Sequence, residues 1–86
     1  MIRKLTEQDI ATVIGTTYKG YVIENARIKS GKFTDSDHYG ILLGKSASGD
    51  YVTWQFHIED EEQSIYWGHY YAEHRDDAIQ DFHKRE

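Results

Sequence analysis

The chain has 86 residues, no cysteine and a formal net charge of −5. This length predicts one domain over residues 1–86, and the lack of cysteine excludes disulfides and thiolate metal sites. No window approaches the ~20 apolar residues of a transmembrane helix, and no apolar segment follows the basic N-terminus as in a signal peptide, so we expect a cytoplasmic protein.

The first predicted element is a short helix, Glu7–Ile14. The hydroxyl of Thr6 can cap it by accepting from the amide of Asp9, and Asp9 takes the place of the Glu or Gln of a capping box. Gly15 supplies a left-handed residue at which the helix can end. The apolar stripe of this helix consists of Ile10, Val13 and Ile14.

Four strands and a second helix follow. Alternation of apolar and polar residues predicts strands over Tyr21–Ser30, His38–Lys45, Tyr51–Glu59 and Ile65–Tyr71. The alternation is broken near Glu24, which indicates a bulge or an edge position. The segments between the strands are predicted as a loop over Gly31–Asp37 and turns over Ser46–Gly49 and Asp60–Gln63. A helical stripe of Ala78, Ile79 and Phe82 predicts a helix over Arg75–Arg85.

The turns suggest a register for each hairpin. The predicted pairs are Ile28 with Ile41, Ala26 with Leu43, Leu43 with Val52, Ile41 with Trp54, Tyr39 with Phe56, Ile58 with Ile65, and Phe56 with Trp67. One face of the sheet then carries Ala26, Ile28, Tyr39, Ile41, Leu43, Val52, Trp54, Phe56, Ile58, Ile65 and Trp67. We therefore predict an α+β fold, α-β-β-β-β-α, in which a four-stranded antiparallel meander packs both helices on that one face.

The opposite face of this predicted sheet is left open. Aromatic side chains that stand on a polar surface are typical of protein-binding sites. We therefore predict a partner-binding surface that consists of Arg27, Leu42, Tyr51, His57, Tyr66 and Tyr70.

Acidic residues accumulate in the last third of the chain. From residue 59 onward the chain has nine Asp and Glu and three Lys and Arg. Residues 1–58 have six Asp and Glu and seven Lys and Arg. We predict an acidic lobe that consists of Glu59, Asp60, Glu61, Glu62, Glu73, Asp76 and Asp77. It can be a solvated surface, a cation site or a mimic of phosphates for a basic partner. The spacing lacks the alternating ligands and glycine of a calcium loop, and a solvated surface is the commonest explanation of such a run.

The histidines give little evidence of chemistry. His38 and His57 become neighbours in the predicted register, either as a metal pair or pH switch or as two surface residues; a third metal ligand is missing. His69 faces Trp54, either as a buried acid or base or, as is commoner, as a histidine that is hydrogen-bonded inside the aromatic core or near its rim. No nucleophile, nucleotide-binding or metal motif is present. We therefore predict no enzyme, no cofactor and no metal.

A resemblance adds to this interpretation. The strings Y-V-T-W-Q-F, Y-W-G-H-Y-Y and A-I-Q-D-F-H-K-R lie between Tyr51 and Arg85. This part of the chain resembles small uncharacterised proteins of Firmicutes genomes, often in phage or mobile-element neighbourhoods. The resemblance implies no activity and no site residue. It favours accessory proteins of mobile elements, including inhibitors of host defence.

Three functions are compatible with these observations. The first is a protein-binding module with a partner that can be basic, and the second is a homodimer that buries the same tyrosines. The third is a single-stranded nucleic-acid binder that stacks bases on tyrosines; the negative charge disfavours it. We expect no membrane partner.

Overall fold

The computed structural model describes residues 1–29 and 36–85. Within these residues, two α-helices, five strands and a short 3-10 helix follow one another. They are α1 (Glu7–Val13), β1 (Thr17–Tyr18), β2 (Tyr21–Ile28), the 3-10 helix (Ser36–His38), β3 (Gly40–Ser46), β4 (Tyr51–Glu59), β5 (Glu62–Ala72) and α2 (Arg75–Lys84). The predicted α+β class and the order of helix, sheet and helix are confirmed. The predicted loop over Gly31–Asp37 falls mainly on residues 30–35, outside the described residues.

The start of α1 is the predicted one. The Thr6 side chain accepts from the Asp9 amide and the Asp9 side chain accepts from the Thr6 amide, which completes the capping box. Arg3 reinforces it with a bidentate pair, in which its two terminal nitrogens lie 2.7 and 2.8 Å from the Asp9 carboxylate. Gly15 takes φ +90° just after the helix, as expected of a left-handed C-terminal residue.

The sheet has five strands rather than the four that were predicted. It is an antiparallel meander in the order β1-β2-β3-β4-β5. The additional strand, β1, has two residues and forms a hairpin with β2 through Lys19 and Gly20, both at positive φ. Two residues are too few to show an alternation, so the sequence pattern gave no sign of this strand. The predicted bulge near Glu24 is confirmed, because the β2–β3 register shifts between Ile23 and Asn25.

The two helices cover opposite faces of the sheet, and the prediction that both pack on one face is wrong. α1 lies over an apolar cluster that comprises Leu5, Ile10, Val13, Ile23, Ala26, Leu42, Val52, Trp54, Phe56 and Ile58. α2 lies over a second cluster that comprises Ile41, Leu43, Tyr51, Ala78 and Phe82. Ile41 and Leu43 therefore belong to the face that was expected to be open.

The cause is strand β3, whose side chains face the reverse of the predicted way. Leu42 pairs with Trp54 and with Ala26, one residue away from the predicted partners. Such a one-residue slip exchanges the two faces of a strand. Gly40 and Gly44 favour the observed register, because a Cβ at Gly40 would lie 2.2 Å from Phe56 Cε1 and one at Gly44 would lie 3.0 Å from Trp54 Cζ3. The two glycines thus make room for the rings of the neighbouring strand.

The β4–β5 hairpin is tighter than predicted. Its loop consists of Asp60 and Glu61 at φ 52° and 64°, the left-handed pair of a type I′ turn. Phe56 consequently pairs with Ile65, and Ile58 with Gln63. This is a shift of two residues from the predicted register, so Ile65 keeps its predicted face. Neither helix of the described residues is long and apolar enough to cross a membrane.

Candidate functional site

Helix α2 covers only part of its face of the sheet. On β4, Tyr51 is buried in the α2 cluster and Thr53 donates to Asp81 of the helix. The next two residues that point to this face, Gln55 and His57, lie beyond the C-terminus of α2 and pair with Tyr66 and Ser64 of β5. We call the part that α2 does not reach the β4–β5 surface and define it, within the described residues, as Tyr39, Gln55, His57, Tyr66 and Trp67.

A row of hydrogen bonds orients the side chains of the β4–β5 surface. Gln55 is only 4% exposed, and its Oε1 accepts from Lys29 Nζ at 3.1 Å. Gln55 Nε2 donates to the hydroxyl of Tyr66 at 3.3 Å, and the same hydroxyl lies 2.8 Å from His57 Nδ1. Burial raises the pKa of the Tyr66 phenol. The phenol is therefore neutral at physiological pH, and its proton is available to His57.

Four rings follow one another across the β4–β5 surface. The ring centroids are separated by 6.1 Å between Tyr39 and His57, 5.2 Å between His57 and Tyr66, and 5.0 Å between Tyr66 and Trp67. The first and last pairs meet edge to face, the arrangement that aromatic rings favour. The result is a continuous aromatic line from the start of β3 to the edge strand β5.

Trp67 ends this line, and its prediction as a core residue is wrong. The β4–β5 register shifts between Thr53 and Gln55, so that Trp67 and Gly68 stand together opposite Trp54 in a bulge. Trp67 has φ 55° and is 68% exposed. A left-handed backbone costs a bulky residue of the order of 1–3 kcal/mol and persists only where the surroundings enforce it.

Arg85, just after α2, is one of the groups that enforce this conformation. Its guanidinium donates to the carbonyl of Trp67 and, at 3.2 Å, to the carbonyl of Thr53. The end of α2, strand β4 and the bulge of β5 are therefore held together by one side chain. The backbone of Trp67 is fixed although its indole is exposed.

Three of the six predicted partner-binding residues serve the fold instead. Leu42 is fully buried in the α1 cluster, and Tyr51 is 6% exposed in the α2 cluster, so the prediction that they lie on an open surface is wrong. The reason for both is the reversal of β3, which turns Leu42 inward and creates the apolar patch that α2 covers. Arg27 donates to the carbonyls of Phe82 and Arg85 and so closes the C-terminus of α2.

The other three predicted residues are divided between the two faces. His57 and Tyr66 lie together on the β4–β5 surface. Tyr70 is 63% exposed but pairs with Val52 on the α1 face, where its ring stands 6.5 Å from that of Trp54 and 6.4 Å from that of Tyr21. The bulge causes this division. Tyr66 and Tyr70 consequently do not form the common surface that was predicted.

The predicted acidic lobe consists of two separate groups. Glu59, Asp60, Glu61 and Glu62 form the tip of the β4–β5 hairpin, whereas Glu73, Asp76 and Asp77 lie around the start of α2. The ten residues of β5 that follow Glu62 separate them, which corresponds to roughly 30 Å at ~3.3 Å per residue. Arg3 contacts Glu61 at 3.0 Å, and the Met1 ammonium contacts Asp60 at 3.2 Å. The acids therefore do not make one continuous surface.

The two histidines that were weighed as a pair have different surroundings. His38 belongs to the 3-10 helix instead of a strand, and its Nδ1 lies 3.0 Å from Asp37 Oδ1. His57 contacts Tyr39 and Tyr66. His69 is exposed rather than in the core, and it contacts Asp81. Among the residues that the structure describes, no three His, Asp or Glu side chains are grouped as metal ligands.

Two residues of the β4–β5 surface, Tyr39 and Trp67, were assigned to the core from the sequence. Both errors have a signal in the chain. The glycines beside them, Gly40 and Gly68, stand where a neighbouring ring approaches the backbone: a Cβ on Gly68 would lie 2.8 Å from Trp54 Nε1. A strand glycine often marks a bulge or a close approach, and here the two glycines mark both.

Comparisons with known proteins give no relative from which to transfer a role. No family model, curated protein or solved structure matches this chain.

Proposed function

We propose that the chain is a non-enzymatic protein-binding module that contacts its partner through the β4–β5 surface. The observation that carries this proposal is an exposed tryptophan with an immobilised backbone. Trp67 is 68% exposed, yet its carbonyl accepts from Arg85 and its ring packs edge to face on Tyr66. Tryptophan and tyrosine are enriched at the centres of protein interfaces.

The rigidity of the surface supports the same proposal. Side chains that are ordered before binding lose less conformational entropy when a partner arrives. Gln55, His57 and Tyr66 are already joined by hydrogen bonds, and Gln55 is almost fully buried. Polar groups around an aromatic centre also match the polar rim of a typical interface.

The biological role that we propose is an accessory protein of a mobile element, for example an inhibitor of a host-defence protein. Its support is the resemblance of the Tyr51–Arg85 region to proteins from such neighbourhoods, together with the small size and the charge of −5. The proposed partner is an intracellular protein. We propose no membrane partner and no cofactor.

An affinity capture with matched variants tests the binding module. The immobilised chain, its Trp67→Ala variant and its Val22→Ala variant are exposed to the same host lysate. Val22 is an apolar side chain on β2 and is 46% exposed, so its truncation controls for a general loss of apolar surface. We expect one protein to bind the wild type and Val22→Ala, and to be reduced about tenfold on Trp67→Ala, as for a central interface residue. Equal recovery on all three would contradict the β4–β5 surface as the contact site.

A further inference from the structure

Strand β5 is an edge strand whose outer side is not paired within the described residues. It stands last in the sheet and pairs with β4. At the opposite edge, β1 has only two residues. A long edge strand presents a row of backbone donors and acceptors to which another strand can add.

The type I′ turn identifies which backbone groups point outward. The residues that flank a two-residue hairpin loop form a hydrogen-bonded pair, and the pairs then alternate between bonded and non-bonded. Glu59 and Glu62 flank the loop. Glu62, Ser64 and Tyr66 therefore bond to β4, and the N–H and C=O groups of Gln63 and Ile65 point to the outer edge.

The bulges of β5 lie in its second half, and the one charge of its first half, Glu62, stands at the very start of the strand. Natural edges are shielded by bulges, charges or prolines. The bulge at Trp67 and Gly68 and a second register shift before Ala72 interrupt that half, and Arg85 occupies the Trp67 carbonyl. The segment Gln63–Ile65 contains no charge, no proline and no bulge.

We propose that an extended, cationic segment of the partner protein adds to Gln63–Ile65 of β5 as a further strand of the sheet. This inference rests on the proposed function and specifies how the partner binds. The free backbone groups of Gln63 and Ile65 supply the hydrogen bonds. Trp67 stands at one end of the segment, next to Tyr66, and the hairpin tip with its four acids stands at the other.

The charges at the hairpin tip select a cationic segment. Glu59 and Glu62 are direct cross-strand partners, an arrangement in which like charges destabilise a sheet. Asp60 and Glu61 of the same tip are 83% and 79% exposed. The Met1 ammonium lies 3.5 Å from Glu59 and 3.2 Å from Asp60, and Arg3 lies 3.0 Å from Glu61. The charge that a lysine or arginine of an added strand would neutralise is therefore that of Glu62, on β5 itself. A second copy of the chain would instead bring the same four carboxylates and a further net charge of −5.

Titration of the isotope-labelled chain with synthetic peptides, followed by amide chemical shifts, tests the inference. The first peptide alternates threonine and valine over about eight residues, within the usual length of a β-strand. It has lysine at both ends. The second has glutamate at both ends. The third keeps the lysines but is N-methylated at alternate residues, which removes the donors that face β5.

We expect the lysine peptide to shift the amides of Gln63 and Ile65. At low salt its affinity should exceed that of the glutamate peptide about tenfold, and the N-methylated peptide should leave both amides unshifted. Equal affinity of the first two peptides, or no shift at these amides, would overturn the inference. Shifts at Gln63 and Ile65 that depend on protein concentration without peptide would assign the edge to a second copy and overturn it as well.

A proline variant provides an independent control. Gln63→Pro removes an outward N–H and no bond of the β4–β5 ladder, so the fold should tolerate it. We expect the variant to lose the response to the lysine peptide while Gln63→Ala keeps it. If a partner binds the β4–β5 surface without using the edge strand, Gln63→Pro and Gln63→Ala should both still capture it, because both variants keep Trp67. Loss of capture on Trp67→Ala with an unchanged response of Gln63→Pro would thus retain the proposed function and reject strand addition.

Discussion

His69 of β5 and Asp81 of α2 join the edge strand to the C-terminal helix, with 2.8 Å between His69 Nδ1 and Asp81 Oδ2. The same carboxylate oxygen accepts from Thr53 Oγ1 of β4 at 2.6 Å. One side chain of α2 therefore bonds two neighbouring strands. It holds the helix over the sheet at the point where the α2 cluster ends.

The free energy of unfolding should consequently depend on Asp81 and fall at acidic pH. Burial raises the pKa of Asp81, but hydrogen bonds from Thr53, His69 and Tyr71 outweigh burial and hold that pKa below its usual value. Because the folded pKa is depressed, this contribution is present above the unfolded pKa of about 3.9 and is lost as pH falls through the folded pKa.

Asp81→Asn tests this dependence. We expect it to lower the free energy of unfolding by roughly 1–3 kcal/mol at neutral pH, and we expect the difference from the wild type to shrink below about pH 4. Asp77→Asn, an exposed acid in the first turn of the same helix, should cost only about 0.5 kcal/mol through the helix dipole. Urea unfolding across pH measures both, and a difference that persisted unchanged into acid would contradict the role of the Asp81 carboxylate.

The cap of α1 should be separable from its packing. Thr6→Ala removes the acceptor for the Asp9 amide and is expected to cost about 1 kcal/mol of unfolding free energy. Thr6→Ser keeps the hydroxyl and should remain close to the wild type. Denaturant unfolding compares the two, and equal losses would show that the hydroxyl does not act as the cap.

At position 67 the usual preference between glycine and alanine should be reversed. Glycine in a strand normally costs roughly 0.5–1 kcal/mol relative to alanine. Trp67 has φ 55°, a conformation that costs alanine but not glycine. We therefore expect Trp67→Gly to be more stable than Trp67→Ala by about 1 kcal/mol. Thermal unfolding of both variants measures the sign, and a more stable alanine variant would contradict the left-handed bulge.

Gly68 should be intolerant of even one added methyl group. A Cβ there would lie 2.8 Å from Trp54 Nε1 and 2.9 Å from Tyr70 Cε2. Trp54 is 2% exposed and is held between Tyr18 and Tyr21, so its ring has little room to move. We expect Gly68→Ala to destabilise the fold by about 1–3 kcal/mol and to alter the near-ultraviolet circular dichroism of Trp54.

The double variant Gly68→Ala/Tyr70→Ala controls for the source of that effect. Removing the exposed Tyr70 ring relieves one of the close contacts but not the one with Trp54. If the loss arises mainly at Trp54, the double variant should remain destabilised relative to Tyr70→Ala alone. Full recovery would assign the strain to Tyr70 instead.

Local signals in the sequence predicted local structure correctly. The Thr6–Asp9 pair marked the start of α1, the broken alternation at Glu24 marked the bulge of β2, and Ala78 and Phe82 marked the buried side of α2. Each of these features depends on residues within one element. These features arise from the helix cap, from the alternation of side chains along a strand and from the helical period. Each of these causes acts over a few residues and is therefore visible in the sequence.

The orientation of β3 could not be read from its own pattern. Ile41, Leu42 and Leu43 are consecutive and all buried, so both faces of the strand are apolar and the alternation does not distinguish them. The distinguishing information lies in Gly40 and Gly44, which receive Phe56 and Trp54 from the next strand. That single reversal moved Leu42 and Tyr51 from the predicted surface into the two clusters.

The position of Trp67 was missed for a different reason. Its spacing from Ile65 is that of a core residue in a regular strand, and only the bulge removes it from the core. The adjacent Gly68 was visible in the sequence. A glycine alone, however, does not show which of its neighbours is the extra, unpaired residue of a bulge. His57 and Tyr66 were predicted on the open face and lie there, because the register shift in this hairpin preserves the faces.

The sheet separates the apolar side chains into two clusters, and this separation affects which part of the protein unfolds first. Among the residues that the structure describes, the cluster under α1 comprises ten buried residues and the cluster under α2 comprises five. Because they share no side chain, α2 can detach as a separate cooperative unit while the α1 cluster stays intact, and its amides should exchange before those of β2 and β4. Arg85 would leave the Trp67 carbonyl in the same event. We therefore expect the opening equilibrium of this short helix to limit how long Trp67 keeps its left-handed conformation.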